Sequence, residues 1–98
     1  MPAAVGLDAM LVRTPTVCGG RLRIDGTRVT VHQIVTLYKR GETPEEIAES
    51  YPQLKLSQVY AALAYYHANQ AEVEQELADD LAEYDRLKQQ HASQAGQP

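Results

Sequence analysis

Three arginines crowd the segment Arg21-Leu-Arg-Ile-Asp-Gly-Thr-Arg-Val-Thr-Val31, and guanidinium groups at that density suit the oxygens of a phosphate. Alternation sets Arg21 and Arg23 on one face of a strand and Leu22 and Ile24 on the other. Arg28 follows the Asp25-Gly26 pair and has two readings of equal weight. It is either a phosphate ligand or a brace to Glu45, Glu46 or Glu49 of a later helix, with Thr27 and Asp25 tying the turn. The remaining reactive side chains do not assemble. His32, His67 and His91 lie far apart with no Cys or carboxylate at ligand spacing, so they read as structural or solvated. Cys18 has Arg21 nearby but no paired histidine, which suits a passive thiol. Asp79, Asp80 and Glu83 read as solvated acids of one helix. No nucleophile stands beside a base and no glycine loop cradles a nucleotide. We therefore expect a non-enzyme with no metal and no cofactor.

The arginine segment is itself a hairpin signal. Two alternating runs flank Asp25-Gly26, the residues a tight turn favours, and Gly19-Gly20 allow the chain to bend into the first strand. Thr30 with Gln33 three residues later forms a capping-box pattern. It opens a helix carrying Ile34, Val35, Leu37 and Tyr38, which ends in Lys39-Arg40 before Gly41. Thr43-Pro44-Glu45-Glu46 then starts a second helix, with a cap residue, proline at the first helical position and glutamate at the third. Pro52 ends it. Ser57 is expected to cap a third helix bearing Val59, Ala62, Leu63, Tyr66 and Ala68, with Leu54 and Leu56 folded over the core. Three short helices in this order suit a helix-turn-helix, its second helix at 43–51 and its recognition helix starting near Ser57.

From Ala68 to Gln90 neither Gly nor Pro interrupts a run dominated by Ala, Glu, Gln and Leu, so helix propensity is high throughout. Val73, Leu77, Leu81, Tyr84 and Leu87 draw one narrow apolar stripe. We expect it to meet another chain, either a second copy or a different protein. Residues 1–16 read as a flexible arm and 92–98 as a disordered tail, leaving 17–68 as the folded domain and 69–91 as an acidic amphipathic extension.

At 98 residues the chain suffices for one modest core, built on aliphatic residues and six tyrosines in the absence of Trp and Phe. The lone cysteine and the absence of a basic start followed by an apolar run point to the cytoplasm. No stretch approaches the roughly 20 apolar residues of a membrane helix. The net charge of −4 conceals an asymmetry. Residues 1–40 carry six cations against Asp8 and Asp25, whereas residues 41–98 carry eleven acids against Lys55, Arg86 and Lys88. The front half can meet nucleic-acid phosphates; the rear half suits a basic protein partner or plain water.

The set Gly20-Arg-Leu-Arg-Ile-Asp-Gly-Thr-Arg-Val29, Gly41-Glu-Thr-Pro-Glu-Glu-Ile47, Tyr51-Pro-Gln-Leu54 and Val59-Tyr-Ala-Ala-Leu-Ala-Tyr-Tyr66 resembles the domain-of-unknown-function 433 family of small prokaryotic proteins. The resemblance spans about residues 17–68, with the pieces in the family's order and spacing. It implies a mainly α fold, with a short N-terminal β-hairpin, a homeodomain-like trihelical unit and, here, a long C-terminal helix. It also implies an antitoxin of a type II toxin-antitoxin pair. Such a protein binds operator DNA as a dimer, represses its own transcription and neutralises a toxin, often a PIN-like ribonuclease, with a C-terminal segment. On that reading Arg21, Arg23, Arg28, Lys39, Arg40, Lys55, Ser57, Gln58 and Tyr60 are the candidate DNA contacts. Val73, Leu77, Leu81, Tyr84 and Leu87 are the partner contacts. The competing reading is a protein-interaction or assembly module that never touches DNA.

Overall fold

The computed structural model describes residues 7–95, with side chains from residue 9 to residue 91. It is mainly helical, with an N-terminal β-hairpin, and divides into two compact units, Met1–Ala68 and Asn69–Pro98.

In the first unit a 3-10 turn, Leu7–Met10, leads into strand β1, Leu11–Val12. β1 pairs antiparallel with β2, Arg23–Ile24, in the register Leu11 to Ile24 and Val12 to Arg23. On its other side Arg23 bridges to Thr30. Arg23 thus stands between Val12 of the two-stranded ladder and Thr30 of an isolated bridge. The Ile24 amide donates to the Val29 carbonyl (2.9 Å) and the Val31 amide to Leu22 (3.0 Å). The tight turn expected at Asp25-Gly26 is present. The Thr27 amide closes it on the Ile24 carbonyl at 3.0 Å, and Gly26 takes the φ of +81° that such a turn reserves for glycine. The sequence reading of residues 1–16 as an arm is corrected for Leu11 and Val12, which join the ladder, while residues 1–6 lie outside the described residues.

Helix α1, Val31–Lys39, starts where the capping box places it. The Thr30 hydroxyl accepts the Gln33 amide at 3.2 Å and Gln33 Oε1 accepts the Thr30 amide at 2.9 Å. Its end is a Schellman arrangement. The Glu42 amide reaches Leu37 and the Gly41 amide reaches Tyr38, with Gly41 at φ +98°. Helix α2, Pro44–Ser50, repeats the capping box with Thr43 and Glu46. Helix α3, Leu56–Ala68, begins one residue before Ser57, so Ser57 is not its cap. Gln58 performs part of that role instead, its Oε1 accepting the Lys55 amide at 2.6 Å.

α3 packs against both α1 and α2 and buries Val59, Ala61, Ala62, Leu63 and Tyr66. Ile24, Val29, Val31, Ile34, Val35, Ile47 and Leu54 complete the core. Complete burial of one such aliphatic side chain is worth about 1.5–3 kcal/mol. Ile24, Val29 and Val31 therefore tie the hairpin to the helices. Tyr38 of α1 meets Tyr66 and His67 of α3 edge-on, with ring centroids 6.4 and 5.6 Å apart.

The second unit is helix α4, Gln70–Ala95. The Val73 amide bonds the Asn69 carbonyl at 3.0 Å, which marks Asn69 as the residue before its first turn. The helix continues through Ala95, so the first residues of the expected tail are helical; 96–98 lie outside the described residues.

Candidate nucleic-acid interface

The arginines of the opening segment separate by role. Arg23 is half-buried and turned into the fold. Its Nη1 donates to the Thr27 carbonyl and its Nη2 to Thr14 Oγ1, each at 2.9 Å, while its buried Nε lacks a partner. One planar guanidinium thereby clips the hairpin turn to the segment that follows β1. The strand alternation that placed Arg23 beside Arg21 on a DNA face did not register Thr14 as a partner. Arg21 is also half-buried, with Nη1 2.7 Å from His32 Nδ1. Arginine can only donate, so His32 Nδ1 accepts there.

Arg28 is exposed, and among the described residues its side chain makes no ion pair with Glu45, Glu46 or Glu49. Those acids have other settings. Glu45 accepts from Tyr60, and Glu46 caps α2. The Thr43 amide and hydroxyl hold the Glu46 carboxyl below the usual carboxylate range. The brace read for Arg28 is therefore absent, and its guanidinium stands in solvent. Its backbone carbonyl accepts a weak bond from Cys18 Sγ at 3.5 Å, and Cys18 sits in a left-handed conformation, φ +52°.

Lys55, Ser57 and Gln58 at the start of α3 share an open cleft of about 260 Å³ with Ala9, Met10 and Asp25. The tip of the hairpin turn and the first turn of α3 are therefore neighbours. The cleft is mixed in charge, since the Asp25 carboxylate opposes an anion that Lys55 would attract. Gln58 is already engaged through Oε1, and Tyr60, 49% exposed, donates its hydroxyl to Glu45 Oε1 at 3.1 Å. That carboxylate pushes the Tyr60 hydroxyl above the ordinary phenol range. Lys39 and Arg40 are exposed at the C-terminal end of α1 and do not line the cleft.

The exposed cationic positions of the first unit are thus Arg13, whose Nη1 donates to the Gly20 carbonyl at 3.4 Å, and Arg28, Lys39, Arg40 and Lys55. They suit contacts to phosphates more than contacts to base edges, because the first two turns of α3 offer few unengaged polar groups. Thr14, His32, Glu45 and Met10 complete the arrangement; each acts across a separation in sequence that local pattern does not report.

On α4 Val73 is buried and Leu77 half-buried, whereas Leu81, Tyr84 and Leu87 are 62%, 62% and 51% exposed. Arg86 pairs with Glu83 on the same helix. Among the described residues no group of three or more His, Cys, Asp or Glu side chains stands together as a metal site, and no helix is long and apolar enough to cross a membrane.

Comparison with the curated proteins finds no match. A solved structure of a DUF433 member protein from Anabaena variabilis is similar, with 35% sequence identity and a TM-score of 0.66 over 74% of this chain and 71% of that one. The family model described as protein of unknown function (DUF433) matches residues 11–66, the span that holds the ladder, α1, α2, all but the last two residues of α3 and every cationic position just described. The chain belongs to the DUF433 family.

Proposed function

We propose that the chain is the antitoxin of a type II toxin-antitoxin pair and represses its own operon. The first unit, a trihelical arrangement resembling a helix-turn-helix, meets operator DNA as a dimer through Arg28, Lys39, Arg40 and Lys55. The second unit holds the toxin, a PIN-like ribonuclease. The observation that carries this reading is the coincidence of charge with structure. Exposed cations lie on Met1–Ala68, and a carboxylate-rich helix with exposed apolar side chains forms Asn69–Pro98. A phosphate-binding surface and a protein-binding surface suit such a division.

Mobility shift of DNA from upstream of the gene tests it, with the chain alone and with the product of the adjacent gene. Binding is expected to fall steeply as salt rises. Absence of any shift at low salt, with or without the adjacent product, would remove the DNA-binding half of the reading. The second reading is an assembly module that binds protein only. Arg23 and Tyr60 favour it, since both spend their polar groups on partners within the chain.

A further inference from the structure

Helix α3 has an outer face as well as the inner one that fills the core. Its 13 residues include no Asp, Glu, Lys or Arg. Opposite the buried side, Leu56, Ser57, Tyr60, Ala64, His67 and Ala68 are exposed. A helix that reads base edges presents Arg, Lys, Asn or Gln there. The one such residue in α3 is Gln58, whose Oε1 already accepts the Lys55 amide. This surface is therefore built for something other than a groove of DNA.

The order of sizes along it points to the occupant. Leu56, Tyr60, Ala64 and Ala68 follow one another every four residues, so they form a single ridge that drifts by about 40° per step. The two large side chains come first and the two small ones second. Turned end for end about position 62, the ridge matches itself: Leu56 falls opposite Ala68, and Tyr60 opposite Ala64. A parallel pair sets Tyr60 against Tyr60 and leaves Ala64 facing Ala64 across a gap, which close packing disfavours. An unrelated protein has no need of such symmetry. No carboxylate, lysine or arginine of α3 meets its own image across the two-fold, so like charges do not oppose the contact. Tyr60 is also fixed beforehand, since its hydroxyl donates to Glu45 at 3.1 Å, and an ordered aromatic side chain loses less freedom on association.

We propose that the outer face of α3 is an isologous interface with a second copy of this chain, the two helices antiparallel and crossing by ridge-into-groove packing at about −50°. The surface that a helix-turn-helix gives to DNA lies here on the two-fold axis. A face about 20 Å long makes a small interface, so dissociation on the order of 10 μM is expected. The inference stands apart from the antitoxin reading, because the pair forms with or without DNA or a toxin.

Sedimentation equilibrium of the full chain across concentration tests it. The parent is expected to pass from monomer to dimer. Ala64→Glu and Ala64→Lys are each expected to weaken the dimer more than tenfold while keeping the parent's circular dichroism. Positions 64 of the two copies lie about 6 Å apart along the axis, so an equimolar mixture of the two variants is expected to restore the dimer, which only folded chains can do. In a Cys18→Ser background, a short bismaleimide is expected to join Ser57→Cys chains to His67→Cys chains and to leave either alone largely unlinked. A parent that stays monomeric up to about 1 mM overturns the proposal, whether or not it shifts DNA. So does a dimer that survives both Ala64 variants, one that Leu81→Ala/Tyr84→Ala abolishes, or cross-linking confined to like chains.

Discussion

Arg23 and Arg28 flank the same turn, yet one is a strut and the other a free charge. Replacing Arg23 with Ala leaves Thr14 Oγ1 and the Thr27 carbonyl without their shared donor. A loss of about 1–3 kcal/mol is expected, read as a lower urea midpoint. Replacing Arg28 with Ala touches no described partner, so stability is expected to stay within about 0.5 kcal/mol. If Arg28 meets a phosphate, the same variant weakens DNA binding uniformly across sequences and lowers the salt slope by about one. Unfolding and mobility-shift measurements on the two single variants therefore separate them. The opposite pattern, an unstable Arg28→Ala beside an intact Arg23→Ala, would reverse the assignment. Arg21 stands between these cases, because its contact with His32 fixes its position without burying it fully.

At the scale of elements, stability concentrates in the helix starts. Thr30 is a buried cap that also closes the ladder against Arg23, and Thr30→Ala is expected to cost about 1–2 kcal/mol. The second box adds a pH dependence. Because Glu46 is held below its unfolded value, its stabilisation is complete above the unfolded glutamate pKa of about 4.3 and fades as pH falls through the lower folded value. Glu46→Gln keeps an oxygen acceptor for the Thr43 amide and is expected to lose this acid sensitivity. Urea midpoints between neutral and acidic pH test the difference, and an unchanged acid profile would show that the bond contributes nothing to folding. These same elements explain what was legible in advance. Thr30 with Gln33, Gly41, and Thr43 with Pro44 and Glu46 act within four residues of one another, so their types and spacing announce the helices. The strand at Leu11–Val12 has its partner a dozen residues away, and neither of its residues carries a signal that names Ile24. Arg23 with Thr14 and Tyr60 with Glu45 are likewise products of tertiary packing. For that reason the family and the helices were readable, whereas the division of labour among the arginines and the identity of the α3 cap were not.

For the whole molecule, the two units imply separable behaviour. The buried core residues of the first unit run from Ile24 to Tyr66, and on α4 only Val73, among the described residues, is buried. A chain truncated after Ala68 is expected to keep the helices α1–α3 and a cooperative urea transition, measured by circular dichroism. A truncated chain with no cooperative transition would show that α4 is required for the fold. DNA binding by the truncated chain is expected to strengthen at low salt, since the carboxylates of α4 no longer repel phosphates. The bond between Tyr60 and Glu45 also gives the protein an optical reporter. With no tryptophan in the chain, near-ultraviolet absorbance comes from tyrosine. Tyr60 ionises above an ordinary phenol because a carboxylate holds its proton. In alkaline titration its phenolate band is late, and Glu45→Gln is expected to bring it earlier. Any partner that lands on the first turns of α3 and takes the hydroxyl from Glu45 moves that same band, so docking on this helix can be followed without a label.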